Sequence, residues 1–258
     1  MKILALDSSG LVASVAVVEN DTLLAEYTVN YKKTHSQTLL PMLDEISNMT
    51  ELDLSTIDAI AVAGGPGSFT GLRIGSATAK GLGLALEKPL ISIPTTAAIA
   101  YNIWDTDKFV CPIMDARRNQ VYTGVYCYTD HRLDTVWEQD TMSIEALAEG
   151  LNCLDHEVIF LGDGVAVYRE KLEALLTIPF SFAPAHVNRQ RAAAVGALAE
   201  VYYKEGKIQT AEEHEPEYLR KSQAERERAE RESVKHADVV KKQGDRKSTR
   251  LNSSHITI

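Results

Sequence analysis

Residues 64–71 read GGPGSFTG, a glycine-rich turn between an apolar run, IDAIAVA, and a helical stretch, LRIGSATAKGLGLAL. Strand, glycine loop and helix in that order can cradle a phosphate, because backbone N–H groups converge at the helix N-terminus. Two phosphate-binding patterns fail here. A Walker A loop ends in Gly-Lys-Ser/Thr, whereas this loop ends Gly71-Leu72 without a lysine, and no third glycine completes GxGxxG. Two readings stay open. One is a general anion site built from Ser68, Thr70 and backbone N–H groups. The other is a tight turn in which Ser68 or Thr70 caps the helix.

Metal and thiol chemistry find few residues. The histidines, at 35, 131, 156, 186, 214, 236 and 255, include no HxxxH or HExxH pair. Cys111, Cys127 and Cys153 form no CxxC, so buried free thiols are expected rather than zinc or redox centres. Charge is uneven: residues 1–221 hold 18 Lys+Arg against 30 Asp+Glu, and residues 222–258 hold 9 against 6. An acidic body repels phosphate backbones, so binding to RNA calls for a partner that supplies basic surface. No apolar run reaches the ~20 residues of a membrane helix, and the first residues, MKILALDSSG, read as a strand rather than a signal peptide. A cytoplasmic protein is expected.

These residues need elements to hold them. Strands are expected at 3–7, 12–18 and 22–29, then a helix at 34–49 with Thr34 as N-cap. Pro41 should kink that helix, or the helix starts later. A strand at 57–63, the glycine loop, a helix at 71–86, a strand at 90–93 and a helix at 94–103 follow. The pattern then restarts: strands at 109–115 and 120–128 with TVWEQD after them, a helix at 143–151, a strand at 157–162, and helices at 165–176 and 188–206, the last ending at Gly206. Each half opens with strand-rich hairpins whose first strand ends in aspartate, a duplication of architecture. Beyond residue 222 the sequence is charged and lacks periodicity, and it is expected to lie outside the fold, disordered or non-native.

The helix after the loop carries a second pattern. Gly71, Gly75, Ala79 and Gly83 recur every four residues and make a ridge almost without side chains. Each helical glycine costs up to about 1 kcal/mol relative to alanine, so a compensating close contact is needed. That contact is either another helix or the chain's own sheet. The expectation adopted is a partner helix, with His35, Leu39, Leu40, Leu43 and Leu72 contributing to the same patch.

The segments ILALDSSGLVASVAV, THSQTLLPML, AVAGGPGSFTGLRIG, KGLGLALEKPLISIPT, MDARRNQVY and EPEYLR occur in that order. Together they resemble the TsaB (YeaZ) family, needed for threonylcarbamoyl modification of adenosine 37 in tRNA. The resemblance covers about residues 1–220. It implies an α/β, actin-like (ASKHA, ribonuclease H-like) fold of two related subdomains, here 1–104 and 105–221. It also implies a TsaD-like catalytic paralogue, a TsaE-like ATPase, and tRNA contact only through the complex; the apolar patch on the 34–49 and 71–86 helices is expected to give a homodimer when the chain is alone. The paralogue carries a HxxxH metal site after its counterpart of KGLGLALEKPLI. Here SIPTTAAIAYN offers no histidine, aspartate or glutamate, so no metal and no cofactor are expected. In actin-like ATPases two aspartates at hairpin starts flank the phosphates and Mg²⁺. Asp7 and Asp115 hold those places, but Asp7 is followed by Ser8-Ser9-Gly10 and Asp115 by Ala116-Arg117-Arg118. A degenerate cleft at Asp7, Ser8, Asp115 and Arg117 is expected, with Arg117 or Arg118 pairing with Asp115. The implied role is a non-catalytic scaffold. The alternatives are an ATPase or kinase using Asp7 or Asp115 and, last, a metallopeptidase.

Overall fold

The computed structural model describes residues 1–31 and 35–220, and the compact unit described below spans Met1–Leu219. The expectations for Thr34 and for residues 222–258 lie outside the described residues.

The chain opens with β1 (Lys2–Asp7), β2 (Val12–Glu19) and β3 (Thr22–Asn30), then α1 (Leu39–Thr50), β4 (Ala59–Gly65), α2 (Phe69–Leu86), β5 (Leu90–Pro94) and α3 (Thr95–Ala100). A second run follows: β6 (Phe109–Asp115), β7 (Gln120–Thr129), β8 (Arg132–Ser143), α4 (Ile144–Leu154), β9 (Val158–Leu161), α5 (Gly164–Leu175), β10 (Phe180–Phe182) and α6 (Ala192–Lys204). The two five-stranded sheets have orders β3-β2-β1-β4-β5 and β10-β9-β6-β7-β8. Read from opposite ends, these are the same order. In each, the first three strands form an antiparallel meander and the last two run parallel to the first. This repeated topology is the actin-like fold of two related halves.

The inner strands, such as β1, β2, β4 and β6, are apolar on both faces because both faces are covered, whereas β3 and β8 at the sheet edges are largely exposed or half-buried. Leu4, Leu6, Ile60 and Val62 point toward α1 and α2, packing with Leu39, Leu43, Ile46 and Ala79. Ile3, Ala5, Ala59 and Ala61 point the other way, into a core with Val195 and Ala199 of α6, Ala97–Ala100 of α3, and Val110, Tyr126 and Leu161 of the second sheet. Cys111, Ile113 and Phe160 face α4 and α5. The layers therefore run α1/α2, first sheet, α3/α6, second sheet, α4/α5. The last helix, though late in sequence, covers the first sheet.

Helix boundaries follow capping chemistry. Ser68 Oγ accepts the Gly71 N–H, and Leu72 N–H donates to Ser68 O at 2.8 Å, so α2 starts at Phe69, two residues earlier than expected. In α1, Pro41 falls within the first turn, where a missing N–H costs nothing. The helix thus begins at Leu39 without a kink in the pattern, and His35–Gln37 form a separate 3-10 turn. The last helix starts at Ala192, not 188, and Gly206 takes φ 74° just past its end, as a C′ glycine does. The three-residue β10 was not anticipated.

Candidate functional site

Two turns occupy equivalent places, one after β1 and one after β6. In the first, Asp7 is fully buried and its Oδ1 accepts the backbone N–H of Ser9 at 2.9 Å and the Ser9 hydroxyl at 2.7 Å. Burial pushes the Asp7 carboxyl up to about 6, against those two bonds and the nearby His35, which act to lower it. Ser8 donates its hydroxyl proton to Gly71 O at 2.9 Å. His35 Nε2 donates to Gly10 O at 2.9 Å, tying the entry to α1 onto this turn. Gln190, 1% exposed, lies so close that a Cβ on Gly10 would sit 2.5 Å from its Nε2.

The glycine loop closes the turn from the other side. Ser68 N–H donates to Ser9 O at 2.7 Å. A Cβ on Gly67 would lie 2.3 Å from Ser9 O, one on Gly71 2.1 Å from Ser8 O, and one on Gly75 2.5 Å from Ser8 Oγ. Gly83 meets Leu90, and Ala79 is fully buried in the core. The small-residue ridge is therefore the surface by which α2 approaches its own β1 turn and sheet. This corrects the expectation that Gly71, Gly75, Ala79 and Gly83 meet a partner helix. Glycine is required because backbone and hydroxyl oxygens stand where a Cβ would be. Leu39, Leu43 and Leu72 also sit in the core, at 1%, 5% and 1% exposure, whereas Leu40 is 54% exposed. Three loop amides have acceptors within the chain: Ser68 N–H meets Ser9 O, Gly65 N–H meets Thr95 Oγ1, and Gly71 N–H meets Ser68 Oγ as the helix cap.

The second turn is open. Asp115 is half-buried, its N–H donates to Asp163 Oδ1 at 3.2 Å, and its Oδ1 accepts the Arg117 N–H at 2.8 Å and the Tyr168 hydroxyl at 3.1 Å. Arg117 thus reaches Asp115 through its backbone. Both arginine side chains are exposed, which corrects the expected guanidinium pairing. Arg117, Arg118 and Asn119 all hold φ between 55° and 61°. Burial raises the Asp163 carboxyl, with the Asp115 charge adding to the rise and the Asp115 N–H and Arg189 opposing it. Burial and the bond to Asp115 push the Tyr168 hydroxyl up to about 12.

Among the described residues no three His, Cys, Asp or Glu side chains cluster as metal ligands would. Thr95–Ala100 form α3, and all six residues are buried. No helix among the described residues is long and apolar enough to cross a membrane. Sequence reading placed Asp7, Ser8, Gly71, Gly75 and His35 individually, and the structure brings them together. It missed Gln190, Asp163 and Tyr168. Asp163 follows a strand and precedes Gly164, much as Asp7 ends β1, and that repeat was a usable signal. Gln190 had none.

The family model described as TsaD, tRNA N6-adenosine threonylcarbamoyltransferase, matches residues 22–228. The tRNA threonylcarbamoyladenosine biosynthesis protein TsaB of Bacillus subtilis (strain 168) is 32% identical over 225 residues, covering 87% of this chain and 96% of its own length. TsaB of Escherichia coli (strain K12) is 30% identical over 232 residues, with the same two coverages. Among solved structures, YeaZ from Pseudomonas aeruginosa superposes with a TM-score of 0.74 at 28% identity, covering 84% of this chain and 99% of its own.

Proposed function

The chain belongs to the TsaB family of tRNA threonylcarbamoyladenosine biosynthesis proteins, and from that premise we propose that it is the non-catalytic scaffold of the modification complex. It binds a TsaD-like catalytic paralogue and a TsaE-like ATPase, and meets tRNA only as part of that assembly. The observation that carries this reading is the sealing of the Asp7 turn. Its carboxylate is wholly buried, its glycine loop donates inward, and Gln190 packs against Gly10. A phosphate or Mg²⁺ ion has no approach to Asp7 past these groups. The buried α3, filled by threonine and alanine, supports the same view, because that stretch is where the resemblance puts the paralogue's metal ligands. An ATPase or kinase working through Asp7 is disfavoured on the same grounds.

The partner face is the outer side of α1 and α2, not the ridge. Leu40, Met49 and Leu84 are 54%, 77% and 58% exposed, and a Cβ added at Gly81 would touch nothing within 4 Å. Ala77 is exposed on the same side of α2. Exposed apolar groups on neighbouring helices are what an association surface offers. Self-association through this face gives a homodimer when the paralogue is absent. Supplying the purified chain with the activated threonylcarbamoyl-adenylate and tRNA tests the scaffold reading: no modified adenosine forms until the paralogue is added. Product formed by the chain alone overturns it.

A further inference from the structure

Gly64 and Gly65, which lead into α2, are gripped by residues far away in sequence. Gln139 of β8 in the second sheet donates from its Nε2 to Gly65 O at 3.2 Å and to Glu217 Oε2 at 2.6 Å. Glu217 returns its backbone N–H to Gly64 O at 2.7 Å. Gln139 is itself held, because Thr96 Oγ1 donates to its Oε1 at 2.8 Å and the buried Tyr126 hydroxyl donates to Thr96 Oγ1 at 2.7 Å. The segment after α6, residues 207–219, forms a C-terminal strap; Gly65 has φ 124°, and a Cβ there would lie 2.2 Å from Glu217 O, so the strap and the loop are in backbone contact. The strap continues along α2: Lys80 Nζ donates to His214 O at 2.9 Å, Phe69 and Tyr218 stack with centroids 4.7 Å apart, and Gln209 pairs with Leu90 at the edge of the first sheet.

We infer that Gln139 and Glu217 form a clasp by which the second sheet and the C-terminal strap set the position of the start of α2. Gln139 is the only side chain in this set that bonds α3, the glycine loop and the strap at once. Any movement of β8 against the first sheet is therefore felt first at Gly65 and Glu217, one turn before α2. Both are positioning residues. That the face of α2 so positioned is the partner face rests on the function proposed above.

Amide hydrogen exchange on the full chain tests the clasp through three variants. Gln139→Ala removes both donors and Glu217→Ala removes one acceptor, while Glu217→Gln keeps an oxygen that accepts from Gln139. The reporters are the N–H groups of Ser68, Leu72 and Glu217, with Leu4 and Ile60 of the first sheet as references. Loss of one anchoring bond is expected to speed exchange at the reporters roughly tenfold, with the references unchanged. Glu217→Gln is expected to stay near wild type. Equal acceleration everywhere, no acceleration at the reporters, or failure of Glu217→Gln to differ from Glu217→Ala overturns the clasp. Affinity for the paralogue is measured alongside. A wild-type chain that does not bind it contradicts the partner reading and leaves the exchange result to decide the clasp.

Discussion

The turns after β1 and β6 begin as equivalents and end as opposites. Each closes the first strand of a sheet with an aspartate, and the two sheets share one strand order. Around Asp7, α2, the 188–191 segment and His35 close in until the carboxylate is fully buried. Around Asp115, Asp163 and Tyr168 leave the carboxylate half-buried, and three successive non-glycine residues hold left-handed backbone with exposed side chains. Duplication supplies two carboxylate positions, but the elements packed over each decide what it can do. In the first half the glycines are spent on burial rather than on phosphate. In the second half Arg117 and Arg118 stand where glycine would suit the backbone.

The largest way to break this contrast is to force the first turn open. Gly71→Leu drives a side chain into Ser8 O and is expected to cost about 3 kcal/mol or more, or to prevent folding. Urea denaturation checks it, and a variant as stable as wild type would place the ridge on the surface after all. Next is the charge of Asp7. Its carboxyl ionises at about 6 in the folded chain against 3.8 for the ordinary group. Below pH 3.8 both folded and unfolded states are protonated and burial costs nothing. As pH rises from 3.8 to about 6 the unfolded state ionises first, so the folded state progressively loses stability, by at most about 3 kcal/mol once pH exceeds about 6. Asp7→Asn keeps an oxygen for Ser9 and is therefore expected to stabilise the protein by up to about 3 kcal/mol at pH 7.5, with the gain vanishing near pH 4. Asp115→Asn, at the open turn, is expected to change stability by less than about 1 kcal/mol at pH 7.5. Melting curves of both variants at the two pH values sharpen the comparison, and equal effects would dissolve it. The smallest effect lies at the strained turn. Arg118→Gly is expected to stabilise by about 0.5–1 kcal/mol, because glycine adopts φ near 55° without a Cβ penalty. A loss of stability there would mean that the arginine side chain holds the turn.

Hairpins and most helices were legible in the sequence because strands buried on both faces read as short apolar runs bounded by turn residues, and helices with one apolar stripe repeat every three to four residues. The ridge was legible as a pattern but not as a direction. A four-residue repeat of small groups marks a face that something approaches, and both a partner helix and the chain's own β1 turn satisfy it. The buried Leu39 and exposed Leu40 show the same limit, since only packing distinguishes adjacent leucines. Pro41 was legible as a boundary problem, and the later start of α1 resolves it. Phe180–Phe182 is too short for any period, and Gln190 and Gln139 are lone amides whose importance comes from contacts more than 70 residues away in sequence.

The sealed Asp7 turn is tested most directly by titrating Mg-ATP into the isolated chain, followed by calorimetry. No micromolar binding and no turnover are expected, in wild type and in Asp7→Asn alike. Micromolar affinity accompanied by hydrolysis, lost on Asp7→Asn or Asp115→Asn, would contradict that expectation and restore the ATPase reading.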